Sequence, residues 1–136
     1  NWKAFLSSKN ITSWHDRSSP APIRYLGYIL CSSVTQRNVA FSCITDTIRQ
    51  SCFLHSQRQL SLRGRATVLN SLIYSKLWHV LRLSTFTKSQ MSVIRGIGSS
   101  FINHRIFPKL AVTLLRAPRS QGGLALLVPV DQQLAQ

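Results

Sequence analysis

The sequence predicts a mainly α fold: an N-terminal β-hairpin, then three amphipathic helices, then a short C-terminal appendage. Three observations predict it. Apolar residues recur at helical spacing at Phe41, Ile44, Ile48 and Cys52, and again from Leu62 to Val80, the period of a helix with one face on a core. Pro22 and the Ser32-Ser33 pair bound an apolar run of strand length. No apolar run reaches the roughly 20 residues of a spanning helix, so the 44% apolar composition supplies a core and no membrane span is expected.

Residues 1–33 form the first unit. Ile11 to Trp14 reads as one short strand and Ile23 to Cys31 as a second, with the polar link His15 to Pro22 joining them as a loose hairpin. The bundle occupies 34–107. Ser33 is the expected cap of its first helix, which runs to His55, and the polar Ser56-Gln57-Arg58-Gln59 segment breaks the pattern. A second helix spans about Leu62 to Leu83, with Leu62, Ala66, Leu69, Ile73, Leu77 and Val80 on one side. Val68, Leu72 and Leu81 widen that stripe, so the helix should be mostly buried; Thr67, Asn70, Ser71, Ser75, His79 and Arg82 form its polar strip. The third helix starts with Thr85 or Thr87 as cap and carries Met91, Ile94, Gly98 and Phe101. Gly96 and Gly98 weaken it by roughly 1 kcal/mol each relative to Ala, unless another helix packs closely there.

Pro108 should stop or bend the chain and open the last unit, 108–136. Ala111 to Leu115 and Leu124 to Val128 are short apolar runs around the turn Ser120-Gln121-Gly122-Gly123. Pro129 then stands at a helix start, with Asp131 favourably placed near its N-terminus. A chain that starts at Asn1 without Met and stops inside a helical pattern reads as a piece of a longer protein.

Charge sets the function classes. Seventeen Lys and Arg stand against Asp16, Asp46 and Asp131, with no Glu, for a net +14. A polyanion or a neighbouring acidic domain relieves such a field. Arg outnumbers Lys, which favours forked phosphate contacts, so nucleic acid is the leading partner, with a plain basic solvated surface or an anionic membrane surface as the alternatives. Cys31, Cys43 and Cys52 are odd in number and unpaired in spacing, as expected of reduced, buried thiols in an intracellular protein. Cys52 and His55 have metal-ligand spacing, but a structural zinc needs four ligands, and no metal site is expected.

The stretch Leu60-Ser61-Leu62-Arg63-Gly64-Arg65 puts two arginines and a glycine at the opening of the second helix. A cation there is unfavourable by about 0.3–1 kcal/mol against the helix dipole, and a phosphate reverses that sign. Gly64 would let a backbone approach closely, and Arg58 is a weaker member of the same group. Lys76, His79 and Arg82 share a face further along, bordered by Trp78, a combination that can follow a strand backbone. Arg58, Arg63, Gly64, Arg65, Lys76, His79 and Arg82 are therefore the candidate nucleic-acid-binding residues. Trp78, Tyr25 and Tyr28 are expected to pack inside. His15, His55, His79 and His104 lack the acidic partner or nucleophile that acid–base catalysis requires. Gly122-Gly123 lacks the flanking strand and Lys-Ser/Thr pair of a phosphate loop and reads as a plain turn.

Four segments, in this order, resemble the end of a LINE-type, non-LTR retrotransposon reverse transcriptase: Tyr25-Leu26-Gly27; the 60–65 stretch with Leu69-Asn70 and Ser75-Lys76-Leu77-Trp78; Phe101-Ile102, where Asn103 replaces a frequent Trp; and Gly122-Gly123-Leu124 after Leu115-Arg116-Ala117-Pro118. The resemblance covers about residues 22–136. It implies the palm-to-thumb hairpin and helical thumb of an RNA-directed DNA polymerase, held against an RNA or RNA–DNA duplex, in a nuclear and cytoplasmic protein. The missing palm and fingers would be its partners, and the parent enzyme would use Mg2+. Two-metal phosphoryl transfer needs clustered carboxylates, and this chain has no adjacent acidic pair, so neither catalysis nor a cofactor is expected of the fragment itself. Two other readings carry different tests: a basic amphipathic module on a membrane surface, and an inactive relic of a decayed element.

Overall fold

A computed structural model describes residues 1–106 and 109–135; the expected break at Pro108 lies outside the described residues. The fold is mainly helical, with a two-stranded antiparallel hairpin near the N-terminus and helices after it. The order is α1 (Trp2–Ser8), β1 (Ile23–Tyr25), β2 (Tyr28–Leu30), α2 (Val34–Ser56), α3 (Leu62–Val68), a π-helical turn (Leu69–Ile73), α4 (Tyr74–Leu81), α5 (Lys88–Ile102), α6 (Val112–Arg116), a 3-10 turn (Arg119–Gln121) and α7 (Pro129–Leu134).

The N-terminal unit differs from expectation. Ile11 to Trp14 forms no strand, and a short helix, α1, precedes it. None of the residues of α1 is buried, and Trp14 lies edge-on to Trp2 at 5.6 Å. The run expected as one strand, Ile23 to Cys31, folds back on itself, pairing Ile23 with Leu30 and Tyr25 with Tyr28. Leu26 and Gly27 form the two-residue loop, with φ of 51° and 84°. Positive φ at both loop positions matches the twist of a tight hairpin. Glycine accepts it freely, whereas Leu26 holds it against the steric preference of an L-residue.

Helix starts follow the sequence closely. The Ser33 hydroxyl accepts from Gln36 N, and Thr87 forms a reciprocal capping box with Gln90. The second expected helix is continuous from Leu62 to Leu81 but passes through the π turn. Ile73 and Tyr74 are both fully buried while Leu72 is exposed, so the expected burial of Leu72 is corrected. A π turn shifts the helical phase locally and can turn two consecutive residues inward. α2, α3–α4 and α5 pack on one another around a core of Ile44, Ile48, Leu69, Ile73, Leu77, Met91, Ile94 and Ile102, and α7 lies on α4 and α5.

Two side-chain amides tie down the C-terminal segment. Asn70 donates to Ala125 O and accepts from Leu127 N, while Gln133 accepts from Phe86 N and donates to Phe86 O. Each amide supplies the paired donor and acceptor that a neighbouring strand would. Around the Gly-Gly turn, Ala125 N donates to Ala117 O and Leu126 N to Leu115 O. A Cβ at Gly123 would overlap the Ala117 carbonyl, so this turn closes only on glycine.

The thiols are not all buried as expected: Cys43 is exposed and Cys31 half-buried, and only Cys52 is buried. Burial pushes the Cys52 thiol from 9.0 up to about 11. With the folded value above the unfolded one, the unfolded chain loses its proton first as pH rises, so stability falls from about pH 9 through 11. The loss reaches about 2–3 kcal/mol. Urea melts at pH 8 and pH 11 should show a steeper loss for the native chain than for Cys52→Ala; equal slopes would refute it.

Candidate nucleic-acid interface

The seven candidate residues fall into two groups at opposite ends of the α3–α4 helix. Arg63 and Arg82 lie roughly 28 Å apart along its axis, at 1.5 Å per residue. The structure gathers Arg58 and Arg65 near the opening and places Lys76, His79 and Arg82 at the far end; it does not bring the two groups together.

At the opening, the Ser61 hydroxyl accepts from Gly64 N at 3.2 Å and starts the helix. Arg58, Arg65, His104 and Arg105 line one open cleft of about 460 Å³ together with Gln57 and Gln59, and among the described residues no acidic side chain is in its wall. Arg105 enters from the segment after α5 with φ of 59°. Arg63 is exposed in the first turn. On its side of the helix, Thr67 donates from its hydroxyl to Arg63 O and accepts from Arg119 Nη2 at 3.4 Å. Gly64 has helical backbone, and a Cβ there would press on the capping Ser61 Oγ at 3.3 Å and touch the Leu60 side chain at 3.7 and 3.8 Å.

Arg65 departs from its expected role. Its Nη1 donates to Ile102 O at 3.0 Å and His104 O at 2.6 Å, carbonyls at and just beyond the C-terminus of α5. Such carbonyls lack helical donors and carry the negative end of the dipole, so a guanidinium satisfies both needs. Arg65 is thus a clamp between α3 and α5 that also lines the cleft, not a free phosphate fork. Arg63 and Arg58 remain exposed.

At the far end, Lys76 Nζ donates to Ser51 Oγ on α2 at 3.0 Å. His79 stacks on Tyr28 with ring centroids 4.1 Å apart, and the Ser84 hydroxyl donates to Ile29 O. The hairpin is therefore docked on this end of the helix. Arg82 is exposed. Trp78 is half-buried, edge-on to Tyr74 at 5.5 Å. Tyr28 packs as expected, but Tyr25 is exposed at the hairpin tip, correcting its expected place inside.

Sequence reasoning missed Arg105, His104 and Arg119. Nothing local marks them: they reach the site only through the packing of α5 and the Gly-Gly turn. The three acids are spoken for locally. Asp131 pairs with Arg116 at 2.9 Å, Asp46 lies 4.0 Å from Arg49, and the Asp16 carboxylate accepts from Ser18 and Ser19, hydrogen bonds that hold it below the usual carboxylate range. Cations occur on α1, β1, α2, α3, α4, α5 and α6, so the positive field extends well beyond the two groups. Among the described residues, no three His, Cys, Asp or Glu side chains cluster as metal ligands, and no helix is long and apolar enough to cross a membrane. Compared with protein-family models, curated proteins and solved structures, the chain matches none.

Proposed function

We propose that this chain is the thumb, with the adjoining edge of the palm, of a non-LTR retrotransposon reverse transcriptase, and that it grips an RNA or RNA–DNA duplex through backbone phosphates. The observation that carries the reading is the acid-free cleft of Arg58, Arg65, Arg105 and His104 at the head of a long helix, beside exposed Arg63. Lys76, His79 and Arg82 continue the cationic track at the other end. Supporting it, the Tyr25-Leu26-Gly27 segment forms a hairpin turn, and the Gly122-Gly123 segment turns the chain back toward α3–α4. A duplex lying along α3–α4 would meet both groups, roughly 28 Å apart. The polymerase chemistry, and the Mg2+ it uses, belong to the palm and fingers of the parent protein; this chain holds what they act upon. Contacts to charge and shape read little sequence.

The test is duplex binding by the 136-residue chain with single substitutions. Arg63→Ala should weaken an RNA–DNA duplex about threefold to tenfold without lowering the melting temperature, and should raise it slightly, because its side chain is exposed and a cation at a helix start is unfavourable. Arg65→Ala should instead cost about 2–3 kcal/mol of stability, since two charge-assisted bonds to carbonyls are lost. If Arg63→Ala leaves duplex affinity untouched, the grip is misassigned.

A membrane-surface reading draws on one observation: α1 exposes Trp2 and Phe5 beside Lys3 and Lys9, the mixture that seats a short helix at a lipid interface. Sedimentation with anionic liposomes, abolished by Trp2→Ser and Phe5→Ser and unaccompanied by duplex binding, would favour it.

A further inference from the structure

A second cationic cavity lies away from the cleft, where the loop before the hairpin meets the start of α2. It encloses about 280 Å³ and is lined by Arg17 and Arg37 with Ser32, Ser33, Ser84 and Thr85. Among the described residues, no acidic side chain is in its wall. Its frame is built with care for hydrogen bonds. Gln36 is fully buried, and its amide Nε2 donates to Asp16 O and Ser19 O while its Oε1 accepts from Ser32 N and the Ser32 hydroxyl. That amide fixes the Arg17 loop against the first turn of α2. Within this frame one group is unmatched: Arg37 Nε is shut off from solvent and has no hydrogen-bond partner among the described residues. A buried donor without an acceptor is destabilising, and a buried guanidinium nitrogen is matched best by an anionic oxygen.

We propose that this cavity binds a single phosphate group, held between the guanidinium groups of Arg17 and Arg37 with the Ser33 and Thr85 hydroxyls beside it. Two forked cations in a small concave wall, with the hydroxyls of Ser33 and Thr85 whose protons are not committed to other described residues, suit a compact tetrahedral oxyanion that accepts on every side. The cavity opens at the start of the 23-residue α2, whose dipole favours the same charge. The phosphate is either one step of a nucleic-acid strand or a free phosphate; the chemistry of recognition is shared. The assignment does not depend on the thumb reading, because none of its residues belongs to the two groups described above.

Thermal melting of the full chain in inorganic phosphate, against chloride at matched ionic strength, tests it. A ligand that binds only the folded chain raises the melting temperature with the logarithm of its concentration above its Kd. Phosphate should stabilise the native chain, and Arg17→Gln and Arg37→Lys should each raise the phosphate concentration needed by about tenfold, whereas Arg95→Gln, an exposed cation on α5, should not. Arg17 is itself exposed, so its variant keeps the test decisive if Arg37 variants fold poorly. No phosphate-specific stabilisation, or the same stabilisation in all variants, overturns the site. With the site present, weaker duplex binding by Arg17→Gln assigns the phosphate to a nucleic-acid strand, and unchanged duplex binding assigns it to free phosphate. Failure of the chain to bind any duplex would sink the thumb reading and leave the phosphate result standing.

Discussion

Alanine at Gly98 should destabilise the fold by about 2–3 kcal/mol, and alanine two residues earlier should do the opposite. Both glycines lie inside α5, where Gly costs roughly 1 kcal/mol relative to Ala. At Gly96 nothing lies within 4 Å of where a Cβ would stand, so Gly96→Ala gains that propensity without hindrance. At Gly98 the new Cβ would overlap the hydroxyl of Tyr74 and come within 3.2 Å of Leu69 Cδ2. Neither neighbour can retreat, because Tyr74 and Leu69 are both fully buried in the π-turn region. A core at crystal-like density has no slack for a displaced ring. At about 4 °C per kcal/mol for a chain of this size, melting should rise by about 4 °C for Gly96→Ala and fall by about 10 °C for Gly98→Ala. A double variant with Tyr74→Phe, which removes the clashing oxygen, should recover much of the loss; no recovery would mean that the close approach of α5 to Tyr74 is wrong.

That contrast also shows how far sequence reaches. Two glycines in one helix carry the same local penalty, and periodicity puts Gly98 on the apolar stripe with Ile94 and Phe101, but only the fold reveals that Tyr74 fills the space above it. The helix starts at Ser33 and Thr87 were legible because a cap is local chemistry, a hydroxyl within three residues of the amide it accepts from. The stripe from Ala66 to Val80 was legible because burial imposes the helical period. The π turn was not: it trades one phase for another inside an unbroken apolar run, and it moved Leu72 out and Tyr74 in. Ile11 to Trp14 misled because a short run with three apolar or β-branched residues makes a strand only when a partner pairs with it, and here Tyr28 to Leu30 had already taken Ile23 to Tyr25.

The candidate site was half legible for a similar reason. Arg63 and Arg65 look alike in sequence, two cations in one first turn, yet two positions is about half a helical turn and sends them to different sides. One faces solvent and the other meets the end of α5. Which side held a neighbour was a tertiary fact. Their shared place at a helix entrance, which suggested the arginines as a pair, therefore does not separate the exposed residue from the clamping one.

The affinity of the chain for an RNA–DNA duplex should fall by about 10³ between 50 and 200 mM salt, if about six cations sit on phosphates. The expectation follows from counterion release: each neutralised phosphate frees one condensed ion, and diluting those ions into stronger salt is less favourable. The count is a structural claim. Arg58, Arg63, Lys76, Arg82, Arg105 and Arg119 are exposed cations on or beside α3–α4; Arg65 is left out because its Nη1 is committed to carbonyls. Binding driven by the dispersed +14 alone gives a salt dependence too, so the slope by itself does not locate the interface. What locates it is the change of slope on substitution. Removing Arg63 or Arg105 should flatten log affinity against log salt by nearly one unit each, whereas removing Lys3 or Arg95, exposed on α1 and α5, should shift affinity slightly and leave the slope alone. Equal flattening from all four positions would mean a diffuse cationic cloud with no grip, and the helix from Leu62 to Leu81 would then be scaffold only.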